Sequence, residues 1–349
     1  YQYVMETFAS FGANKEITYV NKPHIGTDVL REVIINMRKS IERFGGQFLF
    51  ETKLTDLNIK DNKLESVVLN GKETLPCSAV LLAIGHSARD TFYLLNAKGV
   101  TMQNKPFAVG MRIMHPQSLI DKNQYGLLDD RLPVASYKLT FKASNGKGVY
   151  SFCMCPGGYV VNASSETNRL CINGMSYSKR DSGIANSALI VTVNENDYGN
   201  NLFDGIKFQR NLEEKAYQLG NGLIPTETYG DYKDNKRPKT IGKLEPKIKG
   251  GYRIADLNEL LPDNLNIALK EGIENFDRKI KGFADKETLL CGIEARTSSP
   301  IRIIRNENYE SNIEGLYPSG EGAGYAGGIT SAAIDGLKVS EAIMNKFKN

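Results

Sequence analysis

Apolar residues recur at three- and four-residue steps at Leu30, Val33, Ile34, Met37, Ile41 and Phe44, which predicts a helix over 28–44. Thr27 stands where it can cap that helix, and Gly45-Gly46 ends it. The period then falls to two. Residues 48–50 read as a strand, Leu57 and Ile59 between polar neighbours as a second, and 64–69 as a third that turns at the hairpin dipeptide Asn70-Gly71. A wholly apolar run, 79–84, reads as a buried parallel strand that stops at Gly85, His86 and Ser87. Ahead of all this, Tyr3, Val4, Phe8 and Phe11 keep a helical rhythm with neither a starting Met nor a cap, as expected of a cut inside a longer protein.

Beyond residue 105 the pattern changes to short strand-like runs at 107–113, 149–154, 159–163 and 189–193. Two helices stand among them, one over 208–219 and one that aligns Leu269, Ile273, Phe276, Ile280 and Phe283. The expectation is an α/β fold in two parts: a discontinuous domain of 1–105 and 291–349 around an inserted mixed α+β domain of 106–290. Residues 231–253 carry eight basic side chains against three acids, with prolines and glycines that make the segment a loop, solvated or acting as a lid for an anion.

The last stretch, GLYPSGEGAGYAGGITSAAIDGLKVSEAI, starts at Gly315 with a short apolar run and then breaks into Gly320, Gly322, Gly324, Gly327 and Gly328 before a helix of small residues. Dense glycine ahead of a helix lets backbone approach a ligand and turns the helix's positive end toward negative charge. The segment matches GxGxxG by letter, yet no strand follows its helix, so it closes a nucleotide-binding fold and does not begin one. Glu321 between the glycines suits hydroxyl groups of a ligand.

Composition narrows the class modestly. Apolar content of 41%, charged content of 24% and a net charge of +4 fit a globular protein and argue for neither nucleic acid nor membrane. Five scattered cysteines read as reduced thiols of a cytoplasmic protein, and three separated histidines make a metal site a poor expectation.

KPHIGTDVL (22–30), LLAIGHSARDT (81–91), KPFAVGMRIMHPQ (105–117), YSFCMCPGG (150–158), NGMSYSKRD (173–181), GIEARTSSP (292–300) and the terminal glycine segment together resemble the bacterial FAD-dependent, or NAD(FAD)-utilising, dehydrogenases. That family is similar to the glutathione-reductase type of flavoprotein, so the resemblance implies an FAD/NAD(P)-binding flavoprotein fold, here without the family's N-terminal GxGxxG and first βαβ unit. It implies FAD in the whole protein, with this piece alone inactive, and NAD(P)H as a candidate electron donor. By the same resemblance Gly320, Glu321, Gly322, Ala323, Gly324, Gly327, Gly328, Ile329 and Thr330 face the cofactor. Gly85, His86 and Ser87 match the turn beside the dinucleotide, His24 joins His86 on the cofactor side, and main chain near Lys53 and Leu54 lies by the adenine.

For chemistry the candidates are Arg112, His115, Tyr177 and Arg296, with Arg112, Tyr177, Ser178, Arg296, Thr297 and Ser298 as substrate contacts. Arg112 suits a carboxylate or phosphate as well as a structural ion pair. His115 suits proton transfer or plain packing. Glu294 and Arg296 share a strand face and are expected to pair with each other. The spacing of Cys153 and Cys155 fits buried strand cysteines better than the CxxC of a redox pair. The reading is an FAD-dependent oxidoreductase passing a hydride through flavin N5 to or from an unidentified, anionic small molecule. A tRNA-modifying flavoprotein and a nucleotide-sensing module are the alternatives.

Overall fold

The chain alternates between long, wholly apolar strands and short polar-edged ones, and that difference sorts it into a large sheet and a peripheral lobe. The computed structural model describes residues 1–348. Its seven-stranded, mostly antiparallel sheet runs in the order Tyr252–Ile254, Ile224–Thr228, Leu289–Glu294, Phe107–Pro116, Ile184–Val193, Gly148–Cys155, Thr140–Lys142. The two ten-residue central strands pair along their whole length, from Phe107 opposite Val193 to Pro116 opposite Ile184. Both are buried nearly throughout, which explains why their sequences lack simple alternation. Alternation still decides direction. Phe107, Val109, Met111 and Ile113 join the main core with helix Asp263–Asp277, whereas Ala108, Ala188 and Ile190 form a separate small cluster.

The peripheral lobe carries the meander Leu54–Lys60, Lys63–Leu69, Glu73–Pro76, with tight left-handed turns at Asp61-Asn62 and at Asn70-Gly71. Beside it Val80–Leu82 pairs in parallel with Leu316–Pro318. Helix Arg89–Ala97 closes this second core through Phe92 and Leu95. A third cluster joins the N-terminal helix Gln2–Ser10, Val33 of helix Thr27–Arg43 and, at its margin, Ala333 and Ile334 of the terminal helix Ile329–Phe347.

Several expectations change. Residues 48–50 form no strand, and Phe48, Leu49 and Phe50 are exposed, because no neighbouring strand is there to bond them. The apolar run 79–84 is a strand only at Val80–Leu82. Gly26, at φ 91°, takes the N-cap position; Thr27 is the first helical residue and its hydroxyl donates to the Ser176 carbonyl instead. The helix buries only Val33 fully, leaving Ile34, Ile41 and Phe44 exposed. The basic segment is partly ordered: Tyr229–Asp234 is helical, Ile248–Lys249 pairs with the strand Tyr159–Asn162, and Lys249 lies 5.0 Å over the Tyr177 ring. Among the described residues no helix is long and apolar enough to cross a membrane.

Candidate active site

The paired strands Val80–Leu82 and Leu316–Pro318 end side by side, and each runs into a glycine that only a left-handed backbone satisfies, Gly85 at φ 65° and Gly320 at φ 74°. Carboxyl ends of parallel strands are where α/β folds present loops to ligands. The two loops are locked together. A Cβ on Gly322 would stand 2.4 Å from the Gly85 carbonyl oxygen, so glycine alone permits this backbone contact. His86 Nδ1 lies 2.8 Å from Glu321 Oε1, joining the sequence-predicted turn to the sequence-predicted acid.

The glycine loop is held from behind by residues that sequence reasoning missed. Asp335, one turn into the terminal helix, accepts the Gly320 amide at 2.7 Å and a forked pair of bonds from Arg305 at 2.9 and 2.6 Å. Burial alone would raise the Asp335 carboxyl, but those donors hold it below the ordinary range. Arg305 stacks 3.7 Å from the Tyr325 ring centre. The signal was the alternation of small residues with a lone acid in a helix otherwise free of early charge. Ser331 Oγ accepts from Gly328, while Gly327, Gly328 and Ile329 are exposed. The first-turn amides, which have no acceptor within a helix, therefore open onto solvent.

In front of that helix start lies a cleft of about 310 Å³ between Ile329 and Thr330 on one side and Cys153–Cys155 on the other. Two further cavities, about 370 and 770 Å³, share His24 and Arg180 with it and add Lys22 and Ser136. Arg180 makes no ion pair among the described residues, and its buried Nε has no partner. His24 Nε2 lies 3.0 Å from the Tyr177 carbonyl, and burial lowers its pKa. Lys105, also missed, is lowered by burial and then by Arg302, with Glu321 opposing; its Nζ reaches Ser298 at 3.5 Å.

The remaining predicted residues sort by strand parity. Arg112 is fully buried. Its Nε donates to Glu294 at 2.8 Å, and its other nitrogens to Asn186, Asn173 and the Cys153 carbonyl. Glu294 and the neighbouring cysteine sulfurs outweigh the cost of burial and keep it protonated. It is thus an internal ion pair and touches no open cavity, which corrects its reading as a substrate contact. Arg296 does not pair with Glu294 either. It makes a forked pair with Glu213, both bonds 2.8 Å, and donates to Ser87 at 3.0 Å and to Ser165. Thr297 is buried with its hydroxyl on the Ala108 carbonyl, so it is no substrate contact. Ser178 bonds Asp28, and Tyr177 packs edge-on against Tyr159 near the cleft. Lys53 has both main-chain groups on Asn70, and Leu54 sits in the meander ladder, so neither offers free backbone at Lys53 to an adenine.

His115, one position past Met114, is fully buried 2.8 Å from the Phe283 carbonyl, its ring tilted 38° against that of Phe283 with centres 4.4 Å apart. Burial drives its pKa down to about 4, away from proton transfer near neutrality. The unfolded chain binds a proton at about 6.5 and the folded one does not, so stability falls as pH drops from about 6.5 to 4, by about 3 kcal/mol in all. Replacing His115→Gln should remove that increment from urea unfolding curves taken across the window. An unchanged difference between wild type and variant at both ends of it would refute the assignment.

The donor set suits a flavin dinucleotide: a glycine loop that a Cβ would fill, a carboxylate beside it, and an uncovered helix start facing a cleft. Residues 106–297, more than half of the chain, match the family model described as FAD-dependent protein, C-terminal domain-like. An uncharacterized protein of Clostridium beijerinckii is 50% identical over 352 residues, covering 99% of this chain and 66% of that protein, so the chain spans just under two thirds of its length. Among solved structures, L-proline dehydrogenase from P. horikoshii is similar at 11% identity and a TM-score of 0.35, over 90% of this chain and 53% of that one. An oxidoreductase from Methanosarcina mazei is similar at 12% and 0.34, over 90% and 54%. PqsL of Pseudomonas aeruginosa, described as a probable FAD-dependent monooxygenase, is similar at 13% and 0.31, over 89% and 57%. Likeness at that level assigns nothing to this chain. The match over 106–297, reaching through the central sheet to the strand that returns to the lobe, establishes that the chain belongs to the family of FAD-dependent proteins.

Proposed function

We propose that the chain is the greater part of an FAD-dependent oxidoreductase acting on a small anionic molecule. The observation that carries this reading is the uncovered start of the terminal helix, facing a cleft and flanked by a glycine loop packed backbone to backbone on Gly85. Bound flavin supplies hydride exchange through N5 with a substrate or with NAD(P)H. The chain's own residues do the rest. Gly320, Gly322 and Glu321 hold the dinucleotide, and Ile329 and Thr330 present amides to the pyrimidine end of the ring, where negative charge gathers on reduction, on a turn that Gly327 and Gly328 fix through Ser331 Oγ. Gly85, His86 and Ser87 fix the loop opposite, and Ala323 and Gly324 close it.

On the substrate side, Lys22 and Arg180 give the cavities that adjoin the cleft a cationic wall, with His24 beside them and with no ion pair to Arg180 among the described residues. Tyr177, next to the cleft-lining Ser176, stands at the cleft margin, and Ser298, 3.5 Å from Lys105 Nζ, is a further substrate contact in this reading. In this reading 1–105 and 291–349 form part of the flavin domain, around a central domain of 106–290. The exposed Ile34, Ile41, Phe44, Phe48 and Phe50 support a further segment of that domain packing against them in the longer protein. The test is a visible spectrum. Full-length protein should be yellow and bleach anaerobically with NADH, NADPH or an anionic metabolite, whereas this chain alone should be colourless. A full-length protein that takes up no FAD on reconstitution would end the proposal.

A further inference from the structure

Cys153 and Cys155 break the strand rule that governs their neighbours. Cys153 has a left-handed backbone, φ 44°, at the register shift where Gly148–Cys155 leaves its partner strand. A non-glycine residue there is strained, so the local structure is holding it in place. The kink turns the pair out of simple alternation: Cys153 is exposed at the cleft mouth, and Cys155 is buried beneath it. Cys155 Sγ donates to the Cys153 carbonyl at 3.3 Å and lies 4.0 Å from an Arg112 nitrogen. Arg112 reaches both residues because Gly174 has no side chain; a Cβ there would stand 2.0 Å from Arg112 Nη1.

We propose that Cys153 and Cys155 are a redox-active dithiol–disulfide pair, with Cys153 as the attacking thiolate, Cys155 as the resolving thiol, and a small anionic disulfide as the class of oxidant. The burial order is that of an accessible nucleophile over a covered partner. The neighbouring Cys155 thiol and then the buried Arg112 cation favour the thiolate of Cys153 against the cost of burial and lower its pKa to about 6. The other cysteines move the opposite way: burial pushes Cys171 up to about 12 and raises Cys77 and Cys291, and Cys155 is raised by its bond to Cys153 and by burial. Two α-carbons one residue apart lie within about 7 Å, and a disulfide takes about 4.4–6.8 Å, so a chain kinked at Cys153 can close the ring.

The chemistry balances without a cofactor. The Cys153 thiolate attacks one sulfur of the small disulfide, forming a mixed disulfide and expelling one thiolate. Cys155 then loses its proton to solvent and attacks Cys153 Sγ, breaking the mixed bond and expelling the second thiolate. Two electrons pass from the pair to the small disulfide, whose halves leave reduced. Lys22 and Arg180 across the cleft suit an oxidant carrying carboxylates.

The probe is glutathione disulfide, added in excess to reduced full-length protein, with an acid quench, alkylation and tryptic mapping. Residues 148–169 fall in one tryptic peptide with these two cysteines and no other. The expected product is that peptide in its internally bridged form without adduct, a Cys155→Ser variant trapped with one glutathione on Cys153, and a Cys153→Ser variant with none. A wild-type peptide with both thiols still free, or a lasting adduct on Cys153, overturns the proposal, and neither result depends on a variant folding. Because the readout is covalent mass, its failure is separable from failure to bind FAD.

Discussion

Replacing Glu213 by alanine should cost the protein about 3–5 kcal/mol of stability, the range for removing one member of a buried ion pair. Glu213 has no exposed surface and accepts from two arginines at once: Arg89, itself 1% exposed, at 3.0 and 2.6 Å, and Arg296 at 2.8 Å twice. Arg89 starts a helix of the peripheral lobe, Glu213 lies within helix Asp204–Gly220 against the large sheet, and Arg296 is on the return between the two. The alanine therefore leaves two cations at the seam without their shared carboxylate, Arg89 keeping Gln209 and a 3.4 Å contact to Glu166 and Arg296 keeping only the hydroxyls of Ser87 and Ser165. Burial alone would raise the Glu213 carboxyl, but the arginine bonds more than offset it and hold it below the ordinary range. Its stabilisation is accordingly complete above the usual carboxylate pKa and fades as pH falls through the lowered one. Urea midpoints of wild type and variant, compared near neutrality, check this. A loss under about 1 kcal/mol would mean the arginines find other acceptors and the seam is not held as described.

Substituting Gly322→Val should weaken FAD binding to the full-length protein by at least about tenfold while leaving the large sheet folded. The new Cβ meets the carbonyl oxygen, carbon and nitrogen of Gly85 at 2.4, 2.7 and 2.8 Å, all backbone atoms that no rotamer change can move. Relief requires the two loops to separate, which carries Glu321 away from His86 and shifts the helix start. Isothermal titration of apoprotein with FAD, beside circular dichroism of the same samples, separates this from global unfolding. Wild-type affinity in the variant would show that the glycine loop does not cradle the cofactor.

Much of the scaffold was readable because it depends on local pattern. The helix over 28–44 shows its period, the hairpin at Asn70-Gly71 has φ values of 51° and 70° at its two turn residues, and the long runs of the central sheet are near-continuous apolar residues. The glycine loop announced itself by composition, and the exposure of its helix start agrees with a ligand site. What stayed hidden depends on pairs far apart in sequence. Arg296 turning from Glu294 to Glu213, and Arg112 gathering Asn186, Asn173 and the Cys153 carbonyl, leave no mark in any short window. Arg112 and His115 illustrate the limit: both were open to a structural or a chemical reading, and only the fold shows that both are fully covered.

By itself the sequence determined the elements, the glycine-rich close approach and the absence of any conspicuous metal or triad spacing, because propensity, period and glycine content act over a few residues. Tertiary structure alone decided which charges are spent internally and which face the cleft. Arg112, Arg296 and Arg305 are consumed by Glu294, Glu213 and Asp335, whereas Arg180 makes no ion pair among the described residues. Whether an ionised side chain meets a partner or solvent is set by burial and by contacts that close over 30, 83 and 182 residues in these three pairs, and no local rule encodes those.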